Sequence, residues 1–134
     1  MKNLILVKHS IPEMISTVPA KEWRLSQLGQ IRCAALAEKL EPFSPDVIIS
    51  STEPKAIETA QLVAQKLDKP FRIASGLQEH DRINVGWLAK EQFESKVKAF
   101  FDIPESLVFG GETASQALAR FSKALSFIEA AVSR

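Results

Sequence analysis

Four consecutive apolar residues, Leu4-Ile5-Leu6-Val7, broken off by Lys8-His9-Ser10, constrain this chain more than any other stretch. A run this short, with no polar alternation, has the pattern of a strand buried on both faces, which places it centrally in a parallel sheet. In an open α/β sheet, ligands bind just beyond the carboxyl ends of the strands. Lys8 and His9 are therefore expected at the mouth of a site. A neutral imidazole can attack as a nucleophile, and a neighbouring cation can hold the oxygens of a phosphoryl group. A strand that simply ends in a lysine and a histidine is the commoner case, and these seven residues alone do not decide between the two.

The totals narrow the field. A chain of 134 residues is long enough for one domain with one core. Its formal net charge of +1 carries no field that would gather nucleic acid or an anionic membrane. No apolar run is long enough to span a bilayer, and the run after Met1-Lys2-Asn3 is too short for a secretory signal. Cys33 is the single cysteine, which excludes an internal disulfide and a multi-cysteine metal site. A cytoplasmic location is the expectation that fits these absences.

Further along, Ile11 to Lys21 holds Pro12 and Pro19 among serines and threonines and reads as a loop. Glu13 within it is more simply a solvated charge than a site carboxylate. Ser26 is a good N-cap for a helix from Gln27 to Leu40, with Gly29, Cys33, Leu36 and Leu40 as its inner stripe and Ala37 beside them. Cys33 thus reads as core, where burial raises a thiol pKa, rather than as a reactive group. Pro42 and Pro45 end that helix, and Asp46-Val47-Ile48-Ile49-Ser50 is a second buried strand.

A second helix is expected to start near Thr52 as cap, with Pro54 in its first turn and Ile57, Ala60, Val63, Ala64 and Leu67 facing inward. Lys55 breaks a rule there. A helix N-terminus carries partial positive charge and favours anions, so a lysine in the first turn is unfavourable unless an anion joins it. The plainer reading is a surface lysine pointing away. Phe71-Arg72-Ile73-Ala74 is a third, shorter strand, leading into Glu79-His80-Asp81-Arg82. Such a charged cluster is usually a solvated loop. It can also carry an acid for a leaving group, and Glu79, close after Leu77, suits a partly buried carboxyl with a raised pKa. His80 and Asp81 would then be supporting partners. Neither histidine has a metal-ligand spacing with the separated carboxylates. Phe93, Val97 and Phe100 mark another helix, closed by Pro104. Thr113-Ala114-Ser115-Gln116 matches a capping box and opens a final helix with Leu118, Phe121, Leu125, Ile128 and Val132 on one face.

Taken in order, these segments resemble the histidine phosphatase superfamily, the phosphoglycerate mutase-like group. The family's opening Arg-His-Gly is matched by Lys8-His9-Ser10, and its Leu-Ser/Thr-x-x-Gly helix start by Leu25-Ser26-Gln27-Leu28-Gly29. Its Ser-Ser-Pro-x-x-Arg-Ala-x-x-Thr-Ala segment is matched by Ser50-Ser51-Thr52-Glu53-Pro54-Lys55-Ala56-Ile57-Glu58-Thr59-Ala60. Leu77-Gln78-Glu79 and Gly111-Glu112-Thr113 match two later motifs. The resemblance implies a single α/β domain over residues 1–134, three-layered, with a mostly parallel central sheet between helices. It implies a phosphatase that hydrolyses a phosphomonoester, of a small molecule or a phosphoprotein, through a phosphohistidine. On that reading His9 attacks phosphorus and Glu79 protonates the leaving oxygen. Lys8 and Lys55, with Ser10 beside them, line the phosphate site, and no metal or other cofactor is needed.

Three departures accompany the resemblance. Both phosphate-pocket arginines are lysines here, which lack the planar fork that grips two oxygens. Ser10 stands where the family has glycine. Family members continue past the long helix into a further strand ending in a second histidine, whereas this sequence stops at Arg134. A sheet lacking that strand has an open edge, which a second copy of the chain could cover, or the natural protein is longer. A non-catalytic phosphate-binding relative is therefore the alternative to a phosphatase, and a purely structural interaction domain is a third, less favoured one.

Overall fold

The computed structural model describes residues 3–133. The chain forms two compact units, each drawn from two stretches of sequence. The first joins the chain up to Glu13 to Arg24–Ile73, and the second joins Met14–Trp23 to the chain from Ala74 onward.

The first unit holds α1 (Gln27–Leu40), β1 (Ile48–Ser50), α2 (Pro54–Leu67) and β2 (Phe71–Ile73). Ser26 caps α1 as expected, its hydroxyl accepting the Gly29 N–H at 3.0 Å. Gly29, Cys33 and Ala37 are buried along one side of α1, with Leu36 and Leu40 half-buried beside them. Gly29 is glycine because the segment after His9 crosses the helix there. A Cβ would collide with the Ile11 carbonyl oxygen. That oxygen accepts from both the Ser26 N–H and the Ser26 hydroxyl, each at 3.0 Å, which pins the crossing. The strands β1 and β2 pair in parallel, Ile48 opposite Phe71 and Ser50 opposite Ile73, with α2 as the connection between them. Along α2, Thr59, Ala60, Val63 and Ala64 are buried, and α2 packs on α1 and on both strands.

The architecture is α/β with a small parallel sheet. The first expected strand, however, is not one. Leu4, Ile5, Leu6 and Val7 have no regular structure and are 53%, 37%, 65% and 47% exposed. A strand exists only through its ladder, and among the described residues the sheet consists of β1 and β2 alone. Apolar composition gives the run a preference for burial but no partner to pair with. The cap of α2 also differs from expectation. It is Glu53 rather than Thr52, because Pro54 takes the first helical position and holds the preceding residue extended, at φ −78° and ψ 136°.

The second unit holds α3 (Lys90–Asp102) and α4 (Ala114–Val132). The capping box of α4 forms as its sequence implies: Thr113 Oγ1 accepts the Gln116 N–H at 3.1 Å, and Gln116 Oε1 accepts the Thr113 N–H at 2.9 Å. The inward face of α4 is shifted from the one expected. Phe121, Leu125 and Ile128 are half-buried and Ala124 is buried, but Leu118 is 68% exposed and Val132 is exposed too. Arg120 lies one turn before Ala124 on the inward side. Near α3, the rings of His80, Phe93, Phe100 and Phe109 form an aromatic cluster, and the Trp23 and Trp87 rings lie 6.4 Å apart. Among the described residues, no helix is long and apolar enough to cross a membrane.

Candidate active site

The His9 side chain is half-buried, and its Nδ1 lies 2.7 Å from the Ser10 carbonyl oxygen. A carbonyl can only accept, so Nδ1 carries the proton of that bond. In the neutral ring the lone pair is then on Nε2, the nitrogen that can attack. Ser10 is itself held on two sides. Its N–H donates to Thr59 Oγ1 at 3.0 Å, and its hydroxyl donates to the Gly29 carbonyl at 2.7 Å. The one hydroxyl proton of Ser10 is thereby directed at the helix rather than at a ligand.

Thr59 joins this turn to α2. While accepting from Ser10, its own hydroxyl donates to the Lys55 carbonyl at 2.8 Å, one helical turn back. Lys55 is 2% exposed, among the most deeply buried side chains of the described chain, so it is not a surface lysine pointing away. Its Nζ lies 3.8 Å from Glu53 Oε2, and Glu53 is 6% exposed. A buried ammonium requires a counter-charge, and this carboxylate supplies one. Lys8, by contrast, is exposed. Cys33 is 1% exposed, its thiol pushed up chiefly by burial, and its S–H donates to the Gly29 carbonyl at 3.3 Å. It is core, as the sequence indicates, and Glu13 is exposed.

In the second unit, Glu79 Oε2 pairs with Arg82 Nη2 at 3.1 Å, and the Arg82 guanidinium lies over the Phe93 ring. The backbone that carries Glu79 is held by Arg120, a residue that sequence reasoning misses. Its guanidinium donates to the carbonyls of Gly76 and Gln78 at 2.8 Å each and to that of Glu79 at 3.3 Å. It also donates to both carboxylate oxygens of Glu112, at 2.6 and 3.2 Å. This forked contact, more than any other cause, holds the Glu112 carboxyl below its ordinary range. Glu112 Oε1 further accepts the Asp81 N–H at 3.2 Å. The sequence carries no signal for Arg120, because the apolar stripe expected along α4 does not include it.

His80 serves the aromatic cluster. Its Nε2 donates to the Glu112 carbonyl at 3.0 Å, and its ring lies 4.3 Å from that of Phe100 and 5.0 Å from that of Phe109, centroid to centroid. Gly110, at φ +79°, packs against it so closely that a Cβ would collide with the Asp81 carbonyl oxygen. Asp81 Oδ1 caps its own turn through the Ile83 N–H at 3.1 Å. Two open surface hollows, one beside Leu88 and Gln92 and one beside Arg24 and Glu58, include none of His9, Lys55 or Glu79. The buried charge and the fixed imidazole are stronger signs of a site than a hollow of ordinary side chains.

The family model of the histidine phosphatase superfamily (branch 1) matches residues 4–134. No curated protein sequence matches the chain. Among solved structures, it is similar to a mycobacterial glucosyl-3-phosphoglycerate phosphatase in its native form, at 22% identity and a TM-score of 0.74, covering 92% of this chain and 61% of that one. The complex of a mycobacterial glucosyl-3-phosphoglycerate phosphatase with inorganic phosphate matches at 24% identity and a TM-score of 0.68, covering 91% and 60%. The structure named mycobacterial hydrolase 2 matches at 22% identity and a TM-score of 0.73, covering 91% and 55%. At such identities the likeness is one of fold, and the chain spans less than two thirds of the length of each of these structures.

Proposed function

Since the chain belongs to the histidine phosphatase superfamily, we propose that it hydrolyses a phosphomonoester, of a small molecule or a phosphoprotein, through a phosphohistidine on His9. The observation that carries this reading is the bond from His9 Nδ1 to the Ser10 carbonyl at 2.7 Å, which puts the ring lone pair on Nε2. Nε2 bonds to phosphorus as the ester P–O bond breaks, and Glu79 gives its proton to the leaving oxygen. Water then attacks phosphorus, the P–N bond breaks, Glu79 takes the water proton, and inorganic phosphate departs. Phosphoryl transfer depends mainly on positioning and on cations that spread the developing charge. Lys55 and Lys8 are the cations in this proposal, and Ser10 anchors the turn between nucleophile and helix. Glu79 in its acid form has to part from Arg82, with which its carboxylate is paired at 3.1 Å.

The buried Glu53–Lys55 pair favours one alternative. A carboxylate already 3.8 Å from the ammonium weakens its hold on a phosphate, which suits a relative that binds phosphate without turning it over. Hydrolysis of p-nitrophenyl phosphate by the chain, beside His9→Ala prepared the same way, separates the two. Turnover in the first and none in the second is expected. Equal turnover in both would remove His9 from the mechanism. No turnover in either, with a melting temperature raised by phosphate, would support the binding relative.

A further inference from the structure

Resting on the reading of His9 as nucleophile, we infer that Thr59 is a positioning residue that sets the tautomer of His9 and couples it to the turn bearing Lys55. Three facts lead there. Thr59 is 4% exposed, so its hydroxyl has to find its partners inside the protein. It accepts from Ser10 N–H at 3.0 Å while donating to the Lys55 carbonyl at 2.8 Å, so one oxygen ties together residues 49 positions apart on one side and one helical turn apart on the other. Ser10 is also the residue whose carbonyl takes the His9 Nδ1 proton.

A hydroxyl has one proton to give, and giving it to Lys55 leaves its lone pairs as the only groups that can face Ser10. The chain of bonds therefore has a single direction: Ser10 N–H to Thr59 O–H to Lys55 C=O. Each bond polarises the next. If the Ser10 N–H loses its acceptor, the Ser10 residue is free to rotate about its remaining anchors, the Gly29 carbonyl and the Ile11 carbonyl bound by Ser26. The Ser10 carbonyl then no longer holds the Nδ1 proton in place. The ring can take its proton on Nε2 instead, and in that tautomer the attacking nitrogen has no lone pair. The same loss releases the first turn of α2 from the nucleophile turn, which lets the reacting groups drift apart.

Thr59→Val keeps the shape of the side chain and removes both bonds, whereas Thr59→Ser keeps the hydroxyl. The readout that a merely structural role would not move is the tautomer of His9, read from the two ring nitrogens by long-range proton–nitrogen NMR above the imidazole pKa. The wild type and Thr59→Ser are expected to hold the proton on Nδ1, and Thr59→Val to shift toward Nε2. Turnover of p-nitrophenyl phosphate should fall about tenfold to a hundredfold in kcat in Thr59→Val, with KM little changed, and recover in Thr59→Ser. If Thr59→Val does not fold, Thr59→Ala removes the same hydroxyl with a better helix former. A tautomer held on Nδ1 in the variant without the hydroxyl overturns the inference, even where its melting temperature falls. A wild type with no turnover overturns the phosphatase reading instead, and the tautomer comparison still decides whether Thr59 sets His9.

Discussion

Lys55 shows how a single side chain can be legible in sequence and still withhold its surroundings. Its position in the first turn of a helix, against the preference of that end for anions, marks it out on local chemistry alone. Its 2% exposure and its partner Glu53 do not follow from that rule, because burial is set by what packs around the helix start and not by the helix end itself. Neutralising one partner of so buried a pair removes a counter-charge 3.8 Å from the Lys55 ammonium, so Glu53→Gln should cost about 3 kcal/mol in the absence of ligand. Inorganic phosphate should then restore more stability to the variant than it adds to the wild type, since Lys55 has lost the charge of Glu53. Melting curves with and without phosphate check this, and an equal phosphate increment in both proteins would remove Lys55 from the anion site. Thr59 is less legible than Lys55. A threonine inside an amphipathic helix is ordinary, and the hint lies only in its spacing of four from Lys55 together with its place beside Ala60 and Val63 on the inward side.

Among elements, those governed by neighbours in sequence are legible, and those governed by distant partners are not. The range of α1 and the start of α4 are fixed by caps reaching three residues along the chain, and both form as expected. Thr113→Ala removes the hydroxyl that accepts the Gln116 N–H, and should lower stability by about 1 kcal/mol, visible as a lower denaturation midpoint at unchanged slope. A midpoint that does not move would mean that water replaces the cap. Leu4–Val7 fails as a strand for the opposite reason. Four apolar residues state a preference, but a ladder is made by two strands, and among the described residues the one sheet is built from β1 and β2. The buried face of α4 departs from its apolar stripe because Arg120 turns inward, its guanidinium bridging Gly76, Gln78, Glu79 and Glu112.

For the whole molecule, that bridge carries a pH dependence. The Glu112 carboxyl is held below its ordinary value in the folded chain, mainly by Arg120. A depressed carboxylate adds stability above its unfolded pKa, near 4.5, and loses it as pH falls through the lower folded value. Melting temperature should therefore fall on acidification below about pH 4.5, and Arg120→Met should flatten this limb while lowering stability at neutral pH. A variant whose acid limb matched the wild type would show that other carboxylates govern it. The alternation of helix and strand is readable over the first unit, but the division into two units is not, since Met14–Trp23 belongs with residues from Ala74 onward and gives no local sign of it. That excursion has a consequence for biosynthesis. On a ribosome adding about 5–20 residues per second, the Trp23 indole leaves the tunnel seconds before Trp87, the ring it lies beside in the finished fold, has been made. For that interval the early segment has its own indole bonds to the Ile15 and Val18 carbonyls but none of the later residues with which it is grouped in the finished fold.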